Sequence, residues 1–268
     1  MSQSLPDGSP APDSNNPDSN NPESVSDIRK YAVEAFGTFV LVFVGVGVAV
    51  FAGNSVGNFG VAFAFGTTLL VLIYTLRPIS GCHVNPAVTL GHYLLGRIPT
   101  ITAVGYWIAQ VVGGLVAGLV IFAIANSLPS YNRGTNGLAA NGWGEHSPSA
   151  VIGPLGDVLQ GGYGIGAAMV VEIVLTALFV FIFLAAMDRI AIPALSGVVV
   201  GATFALVYLF SIPIDYGAAN PARSIAVAFY QDGAFLQLWL FILFPLIGGV
   251  IGAFVYRAVF QRTELIAL

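Results

Sequence analysis

Apolar residues fall into six long blocks along this chain, separated by short polar stretches. The blocks are Tyr31–Phe51, Phe59–Leu76, Thr100–Ala125, Tyr163–Met187, Ile190–Ile212 and Ala234–Tyr256. Each is at or near the ~20 mostly apolar residues that a helix needs to cross about 30 Å of hydrocarbon. Glu34 and Glu172 are the only charges read inside them, and Asp188-Arg189 follows Met187 at a membrane edge. The pattern predicts an all-α membrane protein with six transmembrane helices.

Two further elements are too short to span. Asn85-Pro86-Ala87 and Asn220-Pro221-Ala222 each open a stretch that reads as a helix, over Pro86–Gly96 and Pro221–Tyr230. Asn is a favoured N-cap and Pro a favoured first helical residue. At 1.5 Å per residue each helix is roughly 15 Å long, half the hydrocarbon core. Two such pieces entering from opposite faces meet near the midplane with both Asn side chains aimed at one spot.

The chain repeats itself around these tripeptides. Glu34 precedes Asn85 by 51 residues and Glu172 precedes Asn220 by 48, while Gly113-Gly114 and Gly248-Gly249 each follow their Asn by 28. Three spans per half make the second half insert upside down relative to the first. The division is a polar tail at 1–26, a first half at 27–127, a connecting loop at 128–162, a second half at 163–260 and a tail at 261–268. The loop is rich in Gly, Asn, Ser and Pro, and reads equally as a cover over the outer mouth or as a plain linker. The first tail repeats Asp-Ser-Asn-Asn-Pro and lacks the apolar content to fold alone. It has no basic start and apolar centre, so it is not a signal peptide.

Composition agrees with a membrane protein. Hydrophobic residues are 56% and charged residues 8%, against about 25% charged in soluble domains. No basic patch supports nucleic-acid binding. The single Cys82 excludes an internal disulfide. With the N-terminus cytoplasmic, Arg29, Lys30, Arg77, Arg97, Arg189, Arg257 and Arg262 fall inside and Arg133 and Arg223 outside. That matches the positive-inside bias and puts both termini in the cytoplasm.

The loops leading into the short helices carry the chemistry. Gly81-Cys82-His83-Val84 and Gly217-Ala218-Ala219 are small apart from His83, so their carbonyls can line a pore. An acid inside a membrane marks a functional site. Glu34 and Glu172, at matching places, are expected to hold the loops by accepting from their backbone amides. A proton relay is the alternative, and no His, Lys or Asp in the predicted spans continues one. Arg223 lies three residues into the second short helix, where its first-half counterpart is Val88. A cation near a positive helix end reads as a filter. His92 and His146 have no partner at metal-ligand spacing, and Trp107, Trp143 and Trp239 read as packing or interface residues.

These residues resemble the aquaporin (major intrinsic protein) family. The resemblance spans about Ser26 to Arg257 and rests on Ser-Gly-Cys-His-Val-Asn-Pro-Ala-Val-Thr at 80–89, Ala-Asn-Pro-Ala-Arg-Ser at 219–224, the Glu pair and the inverted repeat. It implies six tilted helices plus two re-entrant half-helices, a homotetramer with one pore per subunit, and no cofactor or energy coupling. It places the outer constriction at Phe65, Tyr208, Gly217 and Arg223. Water-selective members usually carry His where this chain has Tyr208, and often Trp near Ile242. Ser224, Ala228 and Phe65 match the water branch, and no Asp follows Arg223 as it does in glycerol facilitators. Tyr208 is expected to narrow the site and Gly217 to leave space across from it. The implied function is a passive channel passing water in single file while excluding protons and ions. The alternatives are a channel for glycerol, ammonia or another small neutral solute, and, in a different class, an ion-coupled secondary transporter. No nucleophile–base or metal constellation points to an enzyme.

Overall fold

The computed structural model describes residues 26–260 except 135–136, 155 and 189–190. The readings of the two tails, of Arg189 and of Arg262 therefore lie almost wholly outside the described residues.

Eight helices follow in order. They are α1 (Asp27–Phe51), α2 (Gly53–Ser80), α3 (Pro86–Leu94), α4 (Thr100–Ala125), α5 (Ile165–Ala186), α6 (Ser196–Asp215), α7 (Pro221–Ala228) and α8 (Ala234–Phe260). Six are long and apolar enough to cross a membrane, while α3 and α7 are 9 and 8 residues long. Two very short strands, β1 (Val151–Ile152) and β2 (Val158–Gln160), pair antiparallel inside the long loop. They are the one departure from an all-helical chain among the described residues.

Helix boundaries follow local chemistry. The Oγ of Ser26 caps α1 by accepting from Arg29 N at 3.4 Å. The first turn of α2 is broken from the rest at Gly57, whose φ of 63° suits glycine. The α3 helix stops two residues short of the predicted Gly96, and α7 two short of Tyr230. The start predicted at Ile190 moves to Ser196, since Pro193 opens a separate turn. At its other end α6 runs through Pro213 and stops only at Tyr216, which is left-handed with φ 67°. The expectation that Glu34 and Glu172 are the only acids within the spans is thereby corrected, because Asp215 lies in α6 and is fully buried.

Packing obeys the repeat. The α1–α4 and α5–α8 pairs correspond, α2 crosses its counterpart α6, and each half-helix packs on the last helix of the other half, α3 on α8 and α7 on α4. Glycines set these distances. A Cβ on Gly248 would lie 2.6 Å from the Ile173 carbonyl, and one on Gly113 would run into the carbonyl of Ala35. A Cβ on Gly114 would meet Ala222 O at 2.9 Å, and one on Gly249 would meet Ala87 O at the same 2.9 Å. Real Cβ atoms do not sit that close, so both half-helices lie at a separation that only glycine permits. The outward faces of the long helices stay apolar and exposed, as at Phe63, Ile108, Leu206 and Phe254.

Candidate functional site

The centre of the molecule is a pair of reciprocal hydrogen bonds. Asn85 caps α3 by accepting from Ala87 N at 2.9 Å, and Asn220 caps α7 by accepting from Ala222 N at 3.0 Å and Arg223 N at 3.3 Å. The side-chain nitrogen of Asn85 donates to the Ala219 carbonyl at 2.7 Å, and that of Asn220 donates to the Val84 carbonyl at 2.9 Å. Each loop thus ends on the Asn of the other half. An amide has two N–H groups, so one remains on each Asn after the cross-link is made.

Backbone twist makes this possible. Val84 and Ala219, the residues before the two Asn, have φ of 44° and 46°. A left-handed conformation is uncommon for any residue with a side chain and is a genuine outlier for β-branched Val. It costs about 1–3 kcal/mol and persists only where neighbours over-determine it. Here the neighbours are the buried carboxylates. Glu34 accepts from His83 N at 2.8 Å and Val84 N at 2.6 Å, and Glu172 accepts from Ala218 N at 2.9 Å and Ala219 N at 2.8 Å. The amides turn to the carboxylate, and the Val84 and Ala219 carbonyls turn to the opposite Asn.

Sequence reasoning missed the side chains that support Glu34 and the start of α3. Ser80 Oγ donates to Glu34 Oε1 at 2.7 Å, and Gln110 Nε2 donates to Glu34 Oε2 and to Thr89 Oγ1, both at 2.9 Å. Trp107 Nε1 donates to the Pro86 carbonyl at 3.2 Å. A buried Gln inside an apolar span was the available signal for Gln110.

On the side of the long loop, Phe65, Tyr208 and Arg223 come together, none more than 1% exposed. The Phe65 and Tyr208 rings stack with centroids 3.9 Å apart, and the Arg223 guanidinium lies 5.9 Å from the Phe65 centroid. Arg223 donates to Asn141 Oδ1 at 2.6 Å, to the Ala139 carbonyl at 2.8 Å and to the Tyr216 carbonyl at 3.3 Å. Asn141 also accepts from Ser224 Oγ at 2.8 Å. The 137–142 stretch of the long loop is therefore docked onto the site. No motif in the sequence singles out Asn141.

Gly217 sits differently from the expectation. A Cβ there would meet Ser211 Oγ at 2.5 Å and Tyr208 Cδ1 at 3.4 Å. The space is already taken by α6, so the missing side chain makes room for the Ser211 hydroxyl and opens no gap across from the tyrosine ring.

Two cavities flank this centre. One of about 600 Å³, on the side where the described chain begins and ends, is lined by Gly81, His83, His92, Arg77, Arg97 and Tyr256 among others. His83 stacks on His92 with centroids 4.1 Å apart. The other, of about 530 Å³, lies under the long loop and includes Tyr131, Ala139 and Tyr216. Gly81 and His83 thus line a cavity. Cys82 is buried in the apolar core, and Ala218 and Ala219 are buried with their carbonyls already bonded to Tyr208 Oη and Asn85.

Two inverted halves that cross-link their half-helices at the bundle centre define a membrane channel architecture. The profile of the major intrinsic protein family matches residues 21–256, and the chain belongs to that family. It is 43% identical over 242 residues to an aquaporin Z of Photorhabdus laumondii, covering 88% of this chain and all of that one. It is 40% identical over 240 residues to an aquaporin Z of Brucella melitensis, covering 88% and 99%. The solved structure of an aquaglyceroporin from Plasmodium falciparum superposes with a TM-score of 0.66 at 20% identity, over 90% of this chain and all of that one, and shows the shared fold.

Proposed function

We propose that this protein is a passive channel that passes water in single file and excludes protons and ions. The observation that carries the reading is the reciprocal bonding of Asn85 and Asn220. It commits one N–H of each amide to the opposite loop and leaves one on each for a passing molecule. Both half-helices also turn their N-termini, and so their positive dipole ends, towards this point. A water there accepts from both amides, while a cation meets two positive helix ends and no fixed anion aimed at it. Arg223 adds a fixed cation at the constriction. The likeness to two aquaporin Z proteins supports water over larger solutes.

The test is stopped-flow light scattering on proteoliposomes, with water and glycerol compared in one preparation. The reading requires fast water flux above the lipid background and glycerol flux near that background. A protein that passes glycerol readily belongs with the small-solute facilitators. The same reading places both termini in the cytoplasm and four copies in the assembly. Protease access to the tails in intact cells and cross-linking in the membrane test these two points.

A further inference from the structure

Five residues before Asn85 stands Ser80, and five before Asn220 stands Asp215. The two side chains make matching local contacts. Ser80 Oγ accepts from Cys82 N at 3.1 Å, and Asp215 Oδ1 accepts from Gly217 N at 2.9 Å. Ser80 then donates its hydroxyl to Glu34. Asp215 and Glu172 accept from neighbouring amides of the same loop, Gly217 N and Ala218 N, which sets the two carboxyls side by side, but an ionised carboxylate has no proton to donate. Its Oδ2 is buried with no bonded partner among the described residues. Both Glu172 oxygens already accept from loop amides.

The groups around the pair do not supply the missing donor. Tyr208, on α6, gives its hydroxyl to the Ala218 carbonyl, and Arg223, on α7, is bonded through its two terminal nitrogens to Asn141, Ala139 and Tyr216, while its Nε, like Thr176 Oγ1 on α5, is buried and bonded to neither carboxyl. Tyr216 follows Asp215 directly, and the 137–142 stretch offers only neutral groups. Two anions in contact in a buried site repel strongly, and such pairs hold one proton between them.

We propose that Asp215 carries a proton on Oδ2 and donates it to Glu172, so that an acid–carboxylate pair holds the second loop where serine and carboxylate hold the first. The pair then bears a single negative charge, which Arg223 matches. Asp215 acts as a positioning residue. Its carbonyl accepts from Asn141 Nδ2 at 3.0 Å and Gly142 N at 3.3 Å, and Asn141 in turn holds Arg223. Loss of the proton drives Asp215 from Glu172 and displaces the anchor of Arg223, so the constriction is sensitive to alkaline pH.

Infrared spectroscopy of the full-length protein in lipid tests this directly. At neutral pH the wild type should show the carbonyl stretch of a protonated carboxylic acid that shifts on deuteration. The band should move when aspartate carboxyls are labelled with carbon-13, and it should vanish in folded Asp215→Ser. No band, or a band that moves only with labelled glutamate, overturns the proposal, and the labelling arm needs no variant. Water flux through the wild type should fall over the pH range in which the band is lost, and the profile of Asp215→Ser, normalised to neutral pH, should be flat. A wild-type profile unchanged across that range overturns the link to the constriction. The permeability arm rests on the water-channel reading, and absence of water flux at every pH would count against that reading, while the infrared arm stands apart from it.

Discussion

Tyr208 lies flat against Phe65, with ring centroids 3.9 Å apart and planes 24° from parallel. Rings this close leave no room for a molecule between them. On the proposed water-channel reading, a solute at this level passes beside the stack, along Arg223 and the bonded carbonyls.

Tyr208→Ala is therefore expected to widen the constriction. Glycerol permeability should rise more than water permeability, because water already fits. Measurement of both on proteoliposomes gives the ratio. An unchanged ratio in a folded variant removes Tyr208 from the constriction.

Asn220→Asp keeps the cap, since a carboxylate still accepts from Ala222 and Arg223. It loses the N–H that reaches Val84 O, and sets an oxygen against that carbonyl at 2.9 Å. Leaving one buried polar group unpaired costs ~1–3 kcal/mol, and the new charge reverses the field at the centre. Water flux should fall and cation exclusion should weaken. Asn85→Asp should behave alike, because its bond to Ala219 is the mirror of this one. Normal flux with normal ion exclusion in both variants would take the cross-link out of the mechanism.

Arg223→Val places at this position the residue that the first half carries as Val88. It strips the donor from Ala139 O and Tyr216 O, each a desolvation penalty of ~1–3 kcal/mol if the group stays dry, and leaves Asn141 Oδ1 with Ser224 Oγ as its remaining donor. Lower thermal stability and a higher leak of protons and glycerol should appear together. Pyranine-loaded vesicles measure the proton leak. A folded variant with wild-type leaks shows that Arg223 is structural only.

Gly249→Ala adds a Cβ 2.9 Å from Ala87 O and 3.3 Å from Ala87 Cβ. Overpacking of this kind typically costs about 1–3 kcal/mol. The expected result is a lower Tm in detergent with the half-helix displaced and water flux reduced. Gly114→Ala, against Ala222 O, should give a similar loss. Gly47→Ala meets nothing within 4 Å and should leave flux unchanged and Tm equal or higher, which controls for helix propensity.

The spans, both half-helices and the inverted repeat were legible because burial in lipid forces long apolar runs and because Asn-Pro marks a helix start. What stayed hidden depends on contacts across the fold. Asn141 lies in an irregular loop, and only the docked loop shows that it holds Arg223. Asp215 was read as lying outside the spans because the fifth apolar block ends at Ile212, just before Pro213. One missing N–H did not stop α6, and the left-handed Tyr216 ended it two residues later. Extending the repeat comparison to the fifth residue before each Asn would have paired Asp215 with Ser80. Gly217 looked like open space because a sequence does not say which neighbour fills the place of an absent side chain.

The crossed packing of the half-helices also dictates an order of assembly. The α3 helix is made early, but the surface that receives it belongs to α8, where Gly249 faces Ala87. A chain growing from its N-terminus holds the first loop on Glu34, Trp107 and Gln110 but lacks the α8 face of α3 until its last span has entered the bilayer. In contrast α7 finds Gly114 of α4 already in place. The centre is therefore complete only once α8 arrives, and a nascent chain cut before α8 lacks the face that Gly249 offers to Ala87.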